Sequence, residues 1–254
     1  VADPVSEQLS DDLEFARDLA HRAGELLVDL RAEIGYADRW ALMNAGDQAA
    51  QNLIADRLTR YRPADAVLSE EAPDSLVRLS ADRVWIIDPV DGTSAYAKEG
   101  STEWAVHIAL WERGALTLGV VGRPATGEIF DSETATLEPV RHTGMRVVGS
   151  RSRATKFFRD VCADLGAEVV SMSSAGIKVL AVVTGEADAY LHTGGQYQWD
   201  NAAPIAVARA AGLHATRVDG REIVYNERST SIEDLFICRP ERVAEIEAAI
   251  RRHS

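Results

Sequence analysis

The segment Trp85-Ile86-Ile87-Asp88-Pro89-Val90-Asp91-Gly92-Thr93-Ser94 constrains this chain more than any other. An apolar run of strand character delivers two carboxylates, a glycine and two hydroxyls into one short stretch. Carboxylates three residues apart at a strand end repel each other unless a cation lies between them. Gly92 has no Cβ, so the backbone N–H groups of Gly92 and Thr93 can approach an anion such as phosphate closely. Magnesium suits such a patch, because it takes carboxylate oxygens and keeps positions for water and phosphate. Asp-Pro and Asp-Gly are also ordinary turn formers, and the segment alone does not decide between the two readings.

The 254 residues are 46% hydrophobic and 26% charged, which fits a globule with a sizeable core, as one large domain or two modest ones. No apolar run of about 18 residues occurs, so no membrane span is expected. Val1-Ala2-Asp3-Pro4 lacks the basic and apolar regions of a secretory signal. A net charge of −13 argues against general nucleic-acid binding, which needs clustered Lys and Arg. If the ligand is nevertheless a phosphate ester, bound cations must reverse the local field. Cys162 and Cys238 make no disulfide framework and suit a reducing cytoplasm, with small apolar filler as their expected role.

Apolar residues at three- and four-residue steps from Leu9 to Leu30 predict a long amphipathic helix over 6–34. A second helix is expected from Asp47 to about Tyr61, stopped by Arg62-Pro63. Ala66-Val67-Leu68 reads as a short strand delivering Ser69-Glu70-Glu71, and Arg83 to Asp88 as the next strand. Runs at 104–111, 115–122 and 128–131, joined by short turns, imply an antiparallel sheet. After about Gly144 strands near 147–148, 169–170 and 187–191 alternate with helices near 155–165, 175–183 and 201–211, which indicates an α/β half. The expected division is 1–143 and 144–254, with no long linker, so the halves should pack tightly.

Further acids join the first pair. Asp47 opens a helix in this reading, Glu70 and Glu71 end a strand, and Asp200 stands in Gln198-Trp199-Asp200-Asn201-Ala202-Ala203-Pro204 at another helix start. Each alone could be a helix cap. Glu-Glu, then Asp-Pro-Val-Asp-Gly-Thr, then Trp-Asp-Asn-Ala-Ala, in this order and spacing over 47–212, resembles the inositol monophosphatase-like superfamily of magnesium-dependent, lithium-sensitive phosphatases. The resemblance implies a layered αβαβα sandwich, with an N-terminal antiparallel-sheet half carrying most ligands and a C-terminal α/β half completing the site. It implies two or three Mg2+ ions held by Glu70, Asp88, the Val90 carbonyl, Asp91 and Asp200. Thr93 and Asp47 match the pair that positions and deprotonates the attacking water. Gly92, Thr93 and Ser94 would hold the phosphate, and Glu71 would support the site from behind. Haloacid-dehalogenase-like phosphatases carry an aspartate nucleophile where this chain has Pro89, and a proline cannot attack phosphorus. What remains is hydrolysis by a metal-activated water.

The substrate is read from the second half. Inositol-specific members carry an acid just after Ala-Asp-Ala-Tyr, where this chain has Leu191-His192. Leu68-Ser69-Glu70-Glu71 and Ser174-Ala175-Gly176-Ile177-Lys178 look closer to the branch that removes the 3′-phosphate of 3′-phosphoadenosine 5′-phosphate. On that resemblance Ser174 and Gly176 line the sugar, and Lys178 pairs with the second phosphate or else is a helix-surface cation. The branch also takes inositol phosphates and fructose 1,6-bisphosphate. A nucleotide substrate implies a cytoplasmic role in sulfate assimilation, and the family leaves a homodimer open. His107, inside a strand, is expected to be packing, as are Trp85 and Trp104, while Trp199 is expected to wedge Asp200 in place.

Overall fold

The computed structural model describes residues 11–150 and 154–253. Residues 6–10, and with them the expected contribution of Leu9, lie outside the described residues. Helix α1 (Asp12–Ile34) begins at the cap Asp11, whose carboxylate accepts from Leu13 N at 2.8 Å, and ends at Gly35 with φ 70°. Such a cap is worth about 1 kcal/mol. Helix α2 (Arg39–Tyr61) is capped by Asp38 and buries Leu42, Gly46, Ala50, Ile54 and Leu58, one residue per turn. It therefore starts two turns before the expected Asp47. Gly46 and Ala50 carry little apolar signal, and Asn44, Gly46 and Asp47 have poor helix propensity, which the cap and tertiary packing override.

Strands β1 (Ala66–Ser69), β2 (Arg83–Asp91), β3 (Ala105–Glu112), β4 (Ala115–Arg123) and β5 (Glu128–Asp131) form the first sheet in that order. β1 runs parallel to β2, and the remaining pairs are antiparallel. A one-turn helix, α3 (Thr93–Tyr96), follows β2. The second sheet holds β6 (Arg146–Ser150), β7 (Glu168–Met172), β8 (Ala189–Tyr197), β9 (His214–Thr216) and β10 (Ser231–Cys238), in the order β7-β6-β8-β10-β9. Its helices are α4 (Lys156–Asp164), α5 (Ala175–Val183), α6 (Gln198–Ala210) and α7 (Val243–His253).

Strand alternation sorts the side chains into three apolar layers. Trp85, Ile87, Val106 and Ile108 face α1 and α2. Val84, Ile86, Ala105 and Ala109 face the other way, where α5 and α6 lie between the sheets and meet Val148, Tyr190, Leu235 and Ile237. Val147, Leu191 and Phe236 form the third layer with α4 and α7. The order is helices, sheet, helices, sheet, helices. The core between the sheets draws on residues from both sides of position 143, so the halves are packed through one shared layer. Cys162 and Cys238 are free and buried in the third layer.

Candidate active site

A defect at the end of β2 turns its two aspartates the same way. Residues three apart in a regular strand face opposite sides. Here Asp88 pairs with His107 and Asp91 with Ala105, so three steps on β2 match two on β3. This bulge places Asp88 and Asp91 together on the face toward α5 and α6. Pro89 sits within the bulge, where its missing N–H interrupts no ladder bond. Gly92 follows with φ +86°; a Cβ there would stand 2.9 Å from the Glu103 carbonyl, so only glycine fits the turn into α3.

Asp200 arrives from the first turn of α6, where its carboxylate accepts from Tyr197 N at 2.6 Å. One oxygen from each of Asp88, Asp91 and Asp200 lies within 4.8 Å of the others. Glu70 follows β1, held by a 3.3 Å bond from its N–H to the Ile87 carbonyl. These four acids line a cavity of ≈ 540 Å³ with Gly92, Thr93, Ser94 and Lys178.

The four carboxylates differ in how they are held. Asp88 is buried, with Oδ1 accepting from Val90 N at 3.1 Å and Oδ2 without a hydrogen-bond partner. Burial first, then the charges of Glu70, Asp91 and Asp200, raise its pKa well above the usual carboxylate range. Glu70, although one side meets solvent, is pushed up to about 7 by desolvation and by Asp200, Glu71 and Asp91, and comes within hydrogen-bonding reach of Asp88. Two carboxylates that close need a proton or a cation between them. Asp91 is the opposite case. Burial alone would raise it, but His107, Ser174 and the Gly176 N–H hold it down to about 2. The orphaned oxygen of Asp88, beside three more acids, fits a hard divalent cation.

Asp47 reaches the site from the middle of α2. Its neighbour Gly46 lies so close to α3 that a Cβ would stand 2.5 Å from the Tyr96 ring. That approach brings the Asp47 carboxylate close to the Thr93 hydroxyl, one turn before Tyr96. Thr93 Oγ1 is also 3.1 Å from the Val90 carbonyl, an oxygen whose second lone pair stays available to a cation. Desolvation, reinforced by Glu71, raises Asp47 to about 7.

Three comparisons with known proteins bear on this arrangement. A sequence profile of the inositol monophosphatase family matches residues 8–252. The chain belongs to this family. A protein of Mycobacterium leprae named 3′-phosphoadenosine 5′-phosphate phosphatase is 46% identical over 243 residues, covering 90% of this chain and 89% of its own. The Escherichia coli K12 protein named 3′(2′),5′-bisphosphate nucleotidase CysQ is 33% identical over 206 residues, covering 76% of this chain and 83% of its own. The crystal structure of CysQ from Bacteroides thetaiotaomicron superposes with a TM-score of 0.77 at 27% identity, covering 87% of this chain and 94% of that one.

Inositol monophosphatase family members depend on metal ions, and the residues that the resemblance singles out do converge here, with specific departures. Glu70, Asp88, Val90, Asp91, Gly92, Thr93, Ser94 and Asp200 all border the cavity. Asp47 stands behind Thr93, and Glu71 is exposed yet close enough to raise both Asp47 and Glu70. Ser174 and Gly176, expected to line a sugar, are not among the residues that border this cavity. Ser174 is fully buried and its hydroxyl bonds Asp91, while Gly176 N donates to Asp91 Oδ2 at 2.8 Å. Their donors are spent capping α5 on Asp91; Ser173 and Ala175 border the cavity instead. Lys178 is no surface cation: it is 2% exposed, with Nζ 3.2 Å from the Ser173 carbonyl and over the Tyr190 ring. His107 is more than packing, since its ring contacts Asp91. His192 and Gln196, not singled out from sequence, also face the cavity. For His192 a signal was present, since it stands just after the segment where inositol-specific relatives carry an acid. Trp199 stacks on Tyr197 with centroids 4.8 Å apart, beside Asp200.

Proposed function

We propose that this protein is a magnesium-dependent phosphatase that removes the 3′-phosphate of 3′-phosphoadenosine 5′-phosphate to leave AMP. The observation that carries the reading is the division of charge among the residues of one cavity, which is bordered by four carboxylates and by a buried lysine, Lys178. A bisphosphate matches that division. Its reacting phosphate needs cations recruited by the acids, and its second phosphate can meet a fixed positive charge directly. The names of the relatives at 46% and 33% identity support the same substrate class.

Glu70, Asp88, Asp91 and Asp200, with the Val90 carbonyl, are the residues that would hold the magnesium ions. When bound, the ions lower the pKa of water, orient an in-line attack and neutralise the departing oxygen. Gly92, Thr93 and Ser94 orient the phosphate through backbone and hydroxyl donors. Thr93 positions the attacking water, and Asp47 accepts its proton; a group at about 7 is well placed to take a proton near neutral pH. A role in sulfate assimilation in the cytoplasm follows from this substrate.

Rates on the nucleotide and on inositol 1-phosphate at equal magnesium test the reading, and faster turnover of inositol 1-phosphate would overturn it. Lys178→Met sharpens the same test. Losing a charge-assisted contact of about 1.5 kcal/mol raises KM for the bisphosphate roughly tenfold. A substrate with a single phosphate should show an unchanged KM.

A further inference from the structure

His107 joins the parts of the molecule that carry Asp91 and Asp200. Its side chain is fully buried. Nε2 lies 3.2 Å from Asp91 Oδ2. Nδ1 lies 3.2 Å from the carbonyl oxygen of Trp199, the residue before Asp200. The ring also packs against Gly176 so closely that a Cβ there would fall 2.2 Å from Nε2. One imidazole on β3 thus touches the end of β2, the start of α5 and the start of α6, and the glycine leaves the ring little freedom to turn.

The consequence appears at the oxygens of Asp91. Ser174 Oγ and Gly176 N both donate to Oδ2, the oxygen that His107 faces. Oδ1 accepts from Ala175 N at 3.1 Å, and only that bond is directed at it from α5. With Oδ2 enclosed by three groups and a single donor on Oδ1, Oδ1 is the oxygen of Asp91 that keeps a lone pair to offer a cation. A packing residue could fill the same volume without fixing which oxygen is left over.

We propose that His107 is a positioning residue for the divalent-cation site: it holds Asp91 in a single orientation and ties the Asp200 helix to the same strand. The inference rests on the reading that these acids hold cations. It concerns how they are oriented and is independent of the phosphate ester hydrolysed.

The test is calorimetric titration of metal-free protein with Mn2+ in the absence of substrate, alongside thermal unfolding. His107→Asn can place its amide near the Nδ1 position and so loses the Asp91 contact; His107→Gln can reach the Nε2 position and keeps it; His107→Leu removes both. Loss of an outer partner of a metal ligand costs ~10- to 100-fold in affinity, so the Asn and Leu variants should weaken Mn2+ binding by that factor. The magnesium concentration for half-maximal rate should rise in parallel, and the Gln variant should stay near the unaltered protein. A merely structural role predicts a different pattern, with lowered melting in all three variants and Mn2+ affinity that either stays constant or falls equally in Asn and Gln. Either of those results overturns the proposal while leaving the phosphatase reading intact. Failure of the unaltered protein to bind Mn2+ would overturn both.

Discussion

The floor of the cavity and its α5 wall both hold a buried aspartate, three residues apart in sequence, under opposite conditions. At the wall, Asp91 faces a serine hydroxyl, two backbone N–H groups and a histidine, which hold its pKa at about 2. At the floor, Asp88 receives one backbone N–H on Oδ1, has no partner on Oδ2, and is crowded by like charges that raise its pKa. The protein satisfies one carboxylate itself and leaves the other short of positive charge. Unsatisfied buried acids cost stability unless they serve a purpose. The wall is therefore a built-in brace, whereas the floor is a socket that folding leaves incomplete.

Removing each carboxylate is the strongest way to break that contrast. Asp88→Asn should lower turnover by more than about a thousandfold, the equivalent of roughly 4 kcal/mol of lost charge stabilisation. The same change should raise the melting temperature of the metal-free protein, because it removes a carboxyl that the fold disfavours in its charged form. Asp91→Ala should lower the metal-free melting temperature, since it removes the acceptor for Ser174 Oγ and for the first two backbone N–H groups of α5 and orphans these donors at a cost of about 1–3 kcal/mol. Opposite signs in thermal unfolding support the contrast, and equal signs would end it.

Asp47 extends the comparison to a third acid, which meets neither condition fully. It lies close to one hydroxyl, that of Thr93, and has a raised pKa, yet it stands outside the group of acids whose oxygens converge. Asp47→Asn should therefore cut kcat by ~100- to 10,000-fold, the range for loss of a general base, with little change in magnesium affinity measured by titration. A large loss of metal affinity instead would move Asp47 into the socket.

How much of this could be read from the chain depended on which interactions were local. The strand before Asp88, the turn at Gly92 and the helix 175–183 follow from apolar runs and turn chemistry a few residues long, and all appear in place. The start of α2 was misread because its buried face is built from Gly46 and Ala50, whose importance lies in what approaches them, such as Tyr96. β9, β10 and α7 had no counterpart in the sequence reading; β10 is placed by pairing with the distant β8, and β9 by pairing in turn with β10. Among site residues the acids were legible as motifs. The bonds of Ser174 and Gly176 to Asp91 were not, since they depend on a bulge that brings positions more than eighty residues apart into contact.

The smallest effect is expected in how stability varies with pH, and its sign separates floor from wall once more. Asp47 and Glu70 lie at about 7 in the metal-free protein, above their ordinary values of 3.8 and 4.5. Between those values and about 7 the folded protein retains protons that the unfolded chain has released, so stability falls as pH rises through this window. Asp88 acts in the same direction. Asp91 acts oppositely, but its contribution is complete above 3.8 and is lost only as pH falls toward about 2, so it does not enter the window. On the proposed reading magnesium would replace the missing protons and bind the folded state alone, so its stabilisation should grow as they leave. Thermal unfolding at about pH 5 and pH 8, with chelator and with saturating magnesium, should show a lower metal-free midpoint at the higher pH. The magnesium-induced gain should be larger there by a few degrees, on the scale of 2–4 °C per kcal/mol for a chain of this size. Asp88→Asn should flatten that difference while Asp91→Ala leaves its sign unchanged. A gain independent of pH would mean that the floor acids are already compensated without metal, and the distinction between socket and brace would fail.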